Sequence, residues 1–388
     1  MSVLLLILGL ILFIGLVVVH EFGHFIMARR NGVTVEEFGI FFPPRLFKHK
    51  TKGGWDFTIN LLPLGGFVKM KGEHDSDTEK GSFGAASVLA KTKIMAAGVV
   101  MNLIIGLVLL MIVALIGMPQ LIPNQFTIKS DTKVTRSEIL AVQIEKGSPA
   151  AKTGLQSDDQ IVAIGQGGNL TKVHDANSLP KVTKKYAGQT VTLVYKHKGV
   201  EKQAQTTLLS TAAVTASQKT NNPKGYLGIV PASYSLQRST WSAPIVAIGL
   251  TGQMTALTFQ GLGHALGGLG SIIAGGITGN TTARQNGQST AASQVSGPVG
   301  IFVILQDGSL LGYQFILLII AVISLTLAIM NILPIPALDG GRLWLTLITR
   351  ALKKPLTPKL EERINASGFA VLVTLIIIIT IVDVKRFF

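Results

Sequence analysis

The sequence predicts a polytopic α-helical membrane protein of four transmembrane helices, with a membrane-associated β-hairpin and one inserted α+β domain outside the membrane. Three observations lead to this fold class. Of the 388 residues, 48% are hydrophobic and only 14% are charged, and the apolar residues are concentrated in long runs. Four runs reach or approach the roughly 20 apolar residues that a bilayer requires. Between the second and third runs the composition becomes polar over about a hundred residues, which is typical of a compact domain.

The basic residues orient the predicted spans, because short loops rich in Lys and Arg remain cytoplasmic. The loops 29–93 and 342–367 hold 11 and 6 Lys plus Arg, respectively. Both loops are therefore predicted to be cytoplasmic, which leaves the two chain termini and the inserted domain on the outer face. The four spans that satisfy this arrangement are 1–28, 94–117, 311–341 and 368–384.

Charge and cysteine content narrow the possible functions. The net charge of +15 needs no nucleic-acid partner, because a basic cytoplasmic rim facing anionic lipid accounts for much of it. The predicted partner of these charges is the lipid bilayer. The chain has no cysteine, so disulfides and thiolate metal ligands are excluded. Any zinc site must be built from His and carboxylate side chains.

The first span contains an HExxH pattern, His20-Glu21-Phe22-Gly23-His24. Residues four apart share one face of a helix, so His20 and His24 can offer two imidazoles to one metal ion. Glu21 can then act as general base on metal-activated water. The pattern also arises by chance in soluble helices, where such histidines are surface or capping residues. Inside a span, where an ionisable side chain costs about 2.5 to 3.5 kcal/mol, metal binding is the favoured interpretation.

The end of the third span supplies a candidate for the third ligand. Residues 331–341 read NILPIPALDGG, in which two prolines interrupt an apolar helix and a glycine pair permits a tight turn. Non-helical backbone at membrane depth is tolerated only inside protein or beside water. Asp339 stands three residues before the basic Arg342 and hence near the cytoplasmic level of HExxH. An ordinary helix stop at the interface explains Asp339 alone, but not Asn331 and the paired prolines.

The HEFGH and NILPIPALDGG segments together resemble the site-2 protease family of intramembrane zinc metalloproteases. Two further segments, 62–70 and 296–300, resemble the bacterial branch typified by the regulator of sigma-E protease, and the resemblance covers nearly the whole chain. It implies that one zinc ion per chain is held by His20, His24 and Asp339, with Glu21 as the general base. The substrate contacts that it implies are Asn331, Pro334 and Pro336.

The second span departs from the family pattern. Where relatives commonly show Gly-Pro-x-x-Asn, this chain has Gly98-Val-Val-Met-Asn102, so the proline is lost while the glycine and the asparagine remain. This chain therefore lacks whatever helix entry the proline provides in relatives.

The segment 55–70 shows a strand, turn, strand pattern in which 55–61 and 67–70 flank a turn at 63–66. The simplest interpretation is a cytoplasmic β-hairpin. The resemblance implies instead a hairpin that dips toward the active site and pairs with an unwound substrate as an added strand. Unwinding matters because a helix hides its carbonyls in hydrogen bonds between residues four apart. The residues predicted to contact the substrate are Gly66, Phe67, Val68, Lys69 and Met70.

The inserted domain, predicted over 126–231, resembles a PDZ domain. Residues 142–164 carry the strand, the helix and the GL-x-x-x-D-x-I turn of that fold. A loop late in the domain is predicted to bind a peptide carboxylate through its backbone N–H groups, as in circularly permuted bacterial PDZ domains. An ordinary core strand after a glycine turn is an equal alternative. The loop comprises Tyr226, Leu227, Gly228 and Ile229.

The remaining segments carry weaker signals. Residues 241–279, rich in Gly with polar interruptions, predict amphipathic helices on the outer surface, and a fifth span is the alternative. Residues 280–300 predict a flexible linker followed by a Ser-Gly-Pro-Val-Gly motif. Other histidines lack partners at ligand spacing, so no metal is assigned to His49, His74, His174, His197 and His264.

These features lead to a zinc metalloendopeptidase of a bacterial cell membrane as the functional hypothesis. Its expected substrates are single-pass membrane proteins already shortened by an earlier cleavage, and the resemblance suggests anti-sigma factors or remnant signal peptides. The competing hypothesis is a membrane-anchored PDZ scaffold protein with a structural metal, although such a site has no need of Glu21. A transporter with broken helices accounts for the prolines but gives no reason for HExxH.

Overall fold

The computed structural model describes residues 2–74, 76–136, 139–157, 159–173, 176, 178–197, 200–218, 223–232, 235–294, 296–353 and 357–387. His174, for which no metal is predicted, lies outside these residues. The chain divides into two compact units. Unit 1 comprises Met1–Ala114 and Ser242–Phe388, and unit 2 comprises Leu115–Trp241.

Helices and strands are numbered here in chain order. The helices are α1 (Ser2–Arg30), α2 (Val88–Ile116), α3 (Pro149–Lys152), α4 (Ser178–Lys185), α5 (Thr211–Ser217), α6 (Ala243–Thr278), α7 (Thr281–Gln294), α8 (Pro298–Leu311), α9 (Tyr313–Ile332), α10 (Asp339–Ala351) and α11 (Pro358–Phe387). The strands are β1 (Val35–Lys50), β2 (Asp56–Met70), β3 (Met118–Pro119), β4 (Lys133–Arg136), β5 (Ile139–Ile144), β6 (Gln160–Gln166), β7 (Asn169–Lys172), β8 (Thr190–His197), β9 (Val200–Thr207), β10 (Ile229–Ala232) and β11 (Ser235–Arg238).

Five of the described helices, α1, α2, α6, α9 and α11, are long and apolar enough to cross a membrane. This is the architecture of a multi-pass membrane protein. The four predicted spans correspond to α1, α2, α9 and α11. The helix α6 adds a fifth candidate, so the predicted number of four differs from the number that qualifies by length and composition.

The segment predicted as several amphipathic surface helices folds as one continuous helix of 36 residues, α6. Its proline, Pro244, stands in the first turn, where the missing N–H has no partner within the helix in any case. The helix continues through its glycines and ends before Gly279, whose φ of 70° is the left-handed conformation typical of a helix C-terminus.

Residues 280–300, predicted as a flexible linker, instead contain α7 and the start of α8. The polar helix α7 packs against α6 backbone to backbone. A Cβ atom at Gly287 would lie 2.6 Å from the carbonyl oxygen of Gly268, and one at Gly275 would lie 2.8 Å from the amide nitrogen of Arg284. Such close packing, which composition does not reveal, stabilises a helix whose residues have modest helix propensity.

The Ser-Gly-Pro-Val-Gly motif forms the N-terminus of α8 and is capped from α11. Asp383 accepts hydrogen bonds from the backbone N–H groups of Gly297 and Gly300, both at 2.8 Å. A carboxylate is favourable there because the first N–H groups of a helix have no partner within the helix. Asp383 is 1% exposed, so the motif ties α8 firmly to α11.

The structure corrects the β-hairpin predicted over 55–70. Strand β1 pairs antiparallel with β2, and the first half of β1 faces both ends of β2: Phe38 opposes Val68 as well as Phe57. The two halves of 55–70 therefore flank the first half of β1 rather than pair with each other. Burial accounts for the position of the first half of β1, because Val35 and Phe38 pack in one core with α1 and with Met70.

The described residues of unit 2 form two sheets. One has the strand order β10-β5-β6-β8-β9, with β7 paired to β6, and the other has the order β3-β11-β4. Its core contains Ile139, Ile164 and Leu193, which are fully buried. The unit is wider than the predicted 126–231, because β3 pairs with β11 and brings the two ends of the unit together.

Candidate metal centre

His20 and His24 lie one helical turn apart on α1, with ring centroids separated by 4.9 Å. Two glycines set the distance between α1 and α2 at the level of the two histidines. A Cβ atom at Gly23 would lie 2.7 Å from the carbonyl oxygen of Ala97. On α2, a Cβ atom at Gly98 would lie 2.6 Å from Nε2 of both histidines. The backbone of α2 therefore lies directly against the two imidazoles.

Asp339 begins α10, after a break in the backbone over 333–338. Proline residues cannot continue a helix, and Ala337 in this break has a φ of 73°, which reverses the local direction of the chain. A Cβ atom on Gly340 or Gly341 would collide with the backbone of the break. The prolines, the left-handed residue and the glycine pair together aim the Asp339 carboxylate at α1.

The three side chains converge on one point. Oδ2 of Asp339 lies 2.8 Å from Nε2 of His20 and 3.2 Å from Nε2 of His24, and the two nitrogens are 3.2 Å apart. In a tetrahedral zinc site with bonds of about 2.0–2.1 Å, neighbouring ligand atoms are separated by about 3.3 Å. The measured triangle approximates one face of that tetrahedron. Two imidazoles and a carboxylate are also a donor set of catalytic zinc sites, so these residues fit a zinc ion.

The convergent group is largely enclosed. The His20 and His24 side chains are 11% and 9% exposed, and that of Asp339 is 28% exposed. Over the described residues, these three form the one group of three or more His, Asp and Glu side chains whose ligand atoms lie within 4.8 Å of one another. The Asp339 carboxylate is thus the most accessible of the three side chains.

The second ring nitrogen of each histidine has its own partner. Nδ1 of His24 donates to the carbonyl oxygen of Ile94 at 2.8 Å, which leaves Nε2 free as a ligand atom. Nδ1 of His20 lies 3.2 Å from the side-chain amide of Asn102. Sequence reasoning missed both partners. A backbone carbonyl has no residue type to signal it, and Asn102 is 82 residues from His20.

Glu21 follows His20 directly, and its side chain lies against the sheet. A Cβ atom at Gly66 would lie 3.1 Å from Cγ of Glu21, so the backbone of β2 passes over the predicted general base. Gly66 was predicted as a substrate contact from the resemblance alone. The structure shows that it also limits the space around the Glu21 carboxylate.

The other four predicted contact residues of β2 have different surroundings. Phe67 and Val68 pair with β1. Lys69 forms an ion pair with Glu36 at 3.1 Å, and this hydrogen-bonded carboxylate raises the pKa of the Lys69 ammonium. Met70 is buried in the core beside α1. The structure therefore brings Gly66 to Glu21, whereas Met70 lies in the core.

Asn331 lies half-buried in the last turn of α9, and the exposed Pro334 and Pro336 lie in the break that leads to Asp339. Pro336 also packs against α11, where a Cβ atom on Gly368 would collide with it. The substrate contacts of these three residues stay a prediction.

The predicted carboxylate-binding loop of unit 2 lines a cavity of about 220 Å³ together with α4 and α5. Leu227 is 2% exposed and belongs to the core, while Ile229 begins β10. Gly228 has a φ of 74°, and its N–H already donates to the carbonyl oxygen of Gly225 at 3.1 Å. Peptide binding by this loop, which starts at Tyr226, stays a prediction.

Two other described histidines have acidic neighbours. Nδ1 of His197 lies 2.7 Å from Oδ1 of Asp159, and Nδ1 of His74 lies 3.8 Å from Oε2 of Glu361. Each is a single pair of side chains and falls short of the three ligands of a catalytic zinc site.

Comparison with known proteins adds to this geometry. A profile of Peptidase family M50 matches residues 8–375. A Clostridium perfringens protein named as a zinc metalloprotease is 28% identical over 376 residues, which are 97% of each chain. A Clostridium acetobutylicum protein, also named as a zinc metalloprotease, is 30% identical over 374 residues, 95% of this chain and 94% of its own. Among solved structures, the PDZ domain of an SdrC-like protein from Listeria monocytogenes covers 26% of this chain and 92% of its own, at 23% identity and a TM-score of 0.20.

Proposed function

Because the chain belongs to peptidase family M50 and is a zinc metalloprotease, we propose that it is an intramembrane endopeptidase, which hydrolyses peptide bonds within the transmembrane segments of other membrane proteins. One observation carries the proposal. The ligand atoms of His20, His24 and Asp339 converge beside Glu21 on α1, a helix long and apolar enough to cross the membrane. A peptide bond cut at that place belongs to a membrane-embedded segment.

The chain's own residues divide the work of hydrolysis. His20, His24 and Asp339 would hold a zinc ion through Nε2, Nε2 and Oδ2. When bound, the ion supplies Lewis acidity that activates water and polarises a peptide carbonyl. A carboxylate oxygen of Glu21 accepts the proton of the attacking water and passes it to the nitrogen of the departing peptide.

The edge of β2 is proposed to hold the substrate extended. A transmembrane helix hides its carbonyls in its own hydrogen bonds, so it must unwind before attack. Residues 66–70 pair with β1 along one edge, and a substrate strand added at the other edge would run past Glu21. The approach of Gly66 to Glu21 supports this arrangement, and Asn331, Pro334 and Pro336 are proposed to contact the same substrate backbone.

The proposed setting is a bacterial cell membrane, with the basic loops in the cytoplasm and with both termini and unit 2 outside. The proposed substrates are single-pass proteins already shortened by an earlier cleavage, such as anti-sigma factors or remnant signal peptides, in regulated intramembrane proteolysis. Unit 2 is proposed to be a PDZ domain that docks such substrates or screens them by size. The 11 and 6 basic residues of the two loops support this orientation.

The test separates catalysis from metal binding. Glu21→Gln in the purified full-length protein is expected to keep about one zinc per chain and to lose at least about 100-fold in cleavage of a membrane-spanning reporter, because a general base contributes about 10²–10⁴-fold. Glu362→Gln, which changes an exposed glutamate of α11, is the matched control and is expected to cleave like the wild type.

Two outcomes would contradict the proposal. A zinc-loaded Glu21→Gln protein that cleaves at the wild-type rate would defeat the mechanism. A wild-type protein that holds zinc and binds spanning reporters without cutting them would favour a scaffold with a structural metal.

A further inference from the structure

Asn102 is a buried amide on α2 beside the metal centre. It is 1% exposed, and its Nδ2 atom lies 3.2 Å from Nδ1 of His20. Its Oδ1 atom is buried and has no hydrogen-bond partner in the part of the chain that the structure describes. A buried carbonyl oxygen left without a partner costs about 1–3 kcal/mol, and an orientation that gives this oxygen a donor removes that cost.

The ligand role of His20 decides the orientation of the Asn102 amide. Nε2 of His20 faces Asp339 and His24 and is the atom that would bind zinc. Because a ligating nitrogen needs a free lone pair, the proton of the neutral imidazole resides on Nδ1. An N–H at Nδ1 needs an acceptor, whereas Nδ2 of Asn102 is a donor. The oxygen and nitrogen of an amide exchange places by a half-turn about the last side-chain bond. After that half-turn Oδ1 of Asn102 accepts from the Nδ1–H of His20, and Nδ2 takes the place that Oδ1 held.

We infer that Asn102 is a positioning residue of the metal centre: its Oδ1 atom accepts the Nδ1–H of His20 and thereby holds Nε2 of that histidine toward the zinc ion. Asn102 contacts His20 and acts through this histidine. The inference rests on the proposed zinc centre. A hydrogen-bond acceptor behind a ligating histidine fixes its tautomer and raises its basicity as a ligand.

The backbone of Asn102 is itself held in place. Oγ of Ser324, a fully buried residue of α9, donates to the carbonyl oxygen of Asn102 at 2.7 Å. One turn earlier on α2, Gly98 lies against both imidazoles. The helix α2 therefore presents a glycine and an asparagine four residues apart to the histidines, while Ser324 fixes this part of α2 to the helix that leads to Asp339.

The opposite orientation makes a different prediction. If Nδ2 of Asn102 donated to Nδ1 of His20, the ring proton would reside on Nε2, which then could not bind zinc. An aspartate at position 102 has acceptors and no donor, so it suits the inferred orientation alone. A leucine of similar size removes both functions. The two variants therefore distinguish a positioning role from a role in packing.

The measurement is the zinc affinity of the full-length protein in detergent, by competition with a chelator. Asn102→Leu is expected to bind zinc 10–100-fold more weakly, which is the typical effect of removing such a partner, whereas Asn102→Asp is expected to stay within a few-fold of the wild type. Leu103→Ala, on the exposed side of α2, is the matched control and should bind zinc like the wild type. Wild-type affinity in Asn102→Leu, or equal losses in both variants, would overturn the inference.

A second measurement needs no variant and covers the case in which Asn102→Leu does not fold. In the zinc-loaded wild type with ¹⁵N-labelled histidine, Nδ1 of His20 is expected to carry a proton while Nε2 binds the metal. A deprotonated Nδ1 would overturn the inference while leaving the proposed function intact. A wild-type protein that binds no zinc would overturn both.

Discussion

At the scale of single residues, the two histidines of the centre are held in different ways although one helical turn separates them. His24 donates to a backbone carbonyl, that of Ile94, which no substitution of a side chain removes. His20 depends on the side chain of Asn102. A substitution at position 102 can therefore change the support of His20 while the carbonyl partner of His24 stays in place.

Gly98 gives a prediction at this scale. Gly98→Ala would place a methyl group 2.5–2.6 Å from atoms of both imidazoles. Because overpacking of this kind costs about 1–3 kcal/mol, the rings are expected to shift, and zinc content and cleavage should fall together. Metal analysis of the purified variant provides the measurement. Gly15→Ala on α1, where a Cβ atom meets nothing described within 4 Å, is the control, and a fully zinc-loaded, active Gly98→Ala would contradict the prediction.

The sequence identified some residues of the centre and not others. HExxH spacing and a broken helix indicated His20, Glu21, His24 and Asp339, because metal ligands have few possible residue types. Gly98 was noted only as part of the second-span pattern, and its role was not predicted, since its contribution is the absence of a side chain at one point of contact between two helices. That contact depends on tertiary packing, which spacing within one helix does not encode.

At the scale of elements, the break between α9 and α10 is stabilised from α10 itself. Ile332 ends α9, and the residue four positions later is Pro336, which has no N–H to offer its carbonyl. Nε1 of Trp344 donates to that carbonyl oxygen at 3.1 Å instead. The helix that carries Asp339 at its start therefore satisfies the end of the preceding helix, and this fixes the position of the carboxylate.

Gly66 gives a prediction for the sheet. Gly66→Val would press on Cγ of Glu21 while leaving the three ligands in place, so cleavage should fall by about 100-fold with zinc content unchanged. The measurement pairs reporter cleavage with metal analysis. Gly65→Val is the control, because a Cβ atom there meets the ring edge of Phe42 and not Glu21. Wild-type cleavage by Gly66→Val would show that this strand does not constrain the general base.

Element prediction succeeded where a long apolar run defines the element and failed where contacts with other elements decide its structure. The long apolar runs gave α1, α2, α9 and α11. The pairing within 55–70 was mispredicted because the first half of β1, which lies between the two parts, sits next to charged and proline residues that mask a strand. The helix α7 was mispredicted because its stability comes from contact with α6.

At the scale of the whole molecule, the family and the zinc metalloprotease activity predicted from the motifs are confirmed by the M50 match. Unit 2 is inserted between α2 and α6, and its ends meet as paired strands: Met118 in β3 opposes Gln237 in β11. An insert whose ends are adjacent can be removed with a short linker and little strain on the helices that flank it.

Because the ends of unit 2 are adjacent, a deletion can test the proposal that this unit screens substrates by size. Replacing 126–231 by a short Gly-Ser linker is expected to leave cleavage of pre-shortened substrates unchanged and to permit cleavage of full-length ones. The ratio of the two cleavage rates is the measurement. The same deletion with Glu21→Gln is the control that assigns any cleavage to this chain. If the ratio does not change, unit 2 has no part in discrimination between the two substrates.

The separation of the ligands along the chain has a consequence for biosynthesis. His20 and Asp339 are 319 residues apart, so a ribosome that has made the first three-quarters of the protein has delivered two ligands and not the third. A nascent chain therefore cannot complete the metal site until α10 has been translated and has folded back against α1. The newly made protein therefore lacks a complete metal site while the long apolar helices that precede Asp339, α1, α2, α6 and α9, are being made.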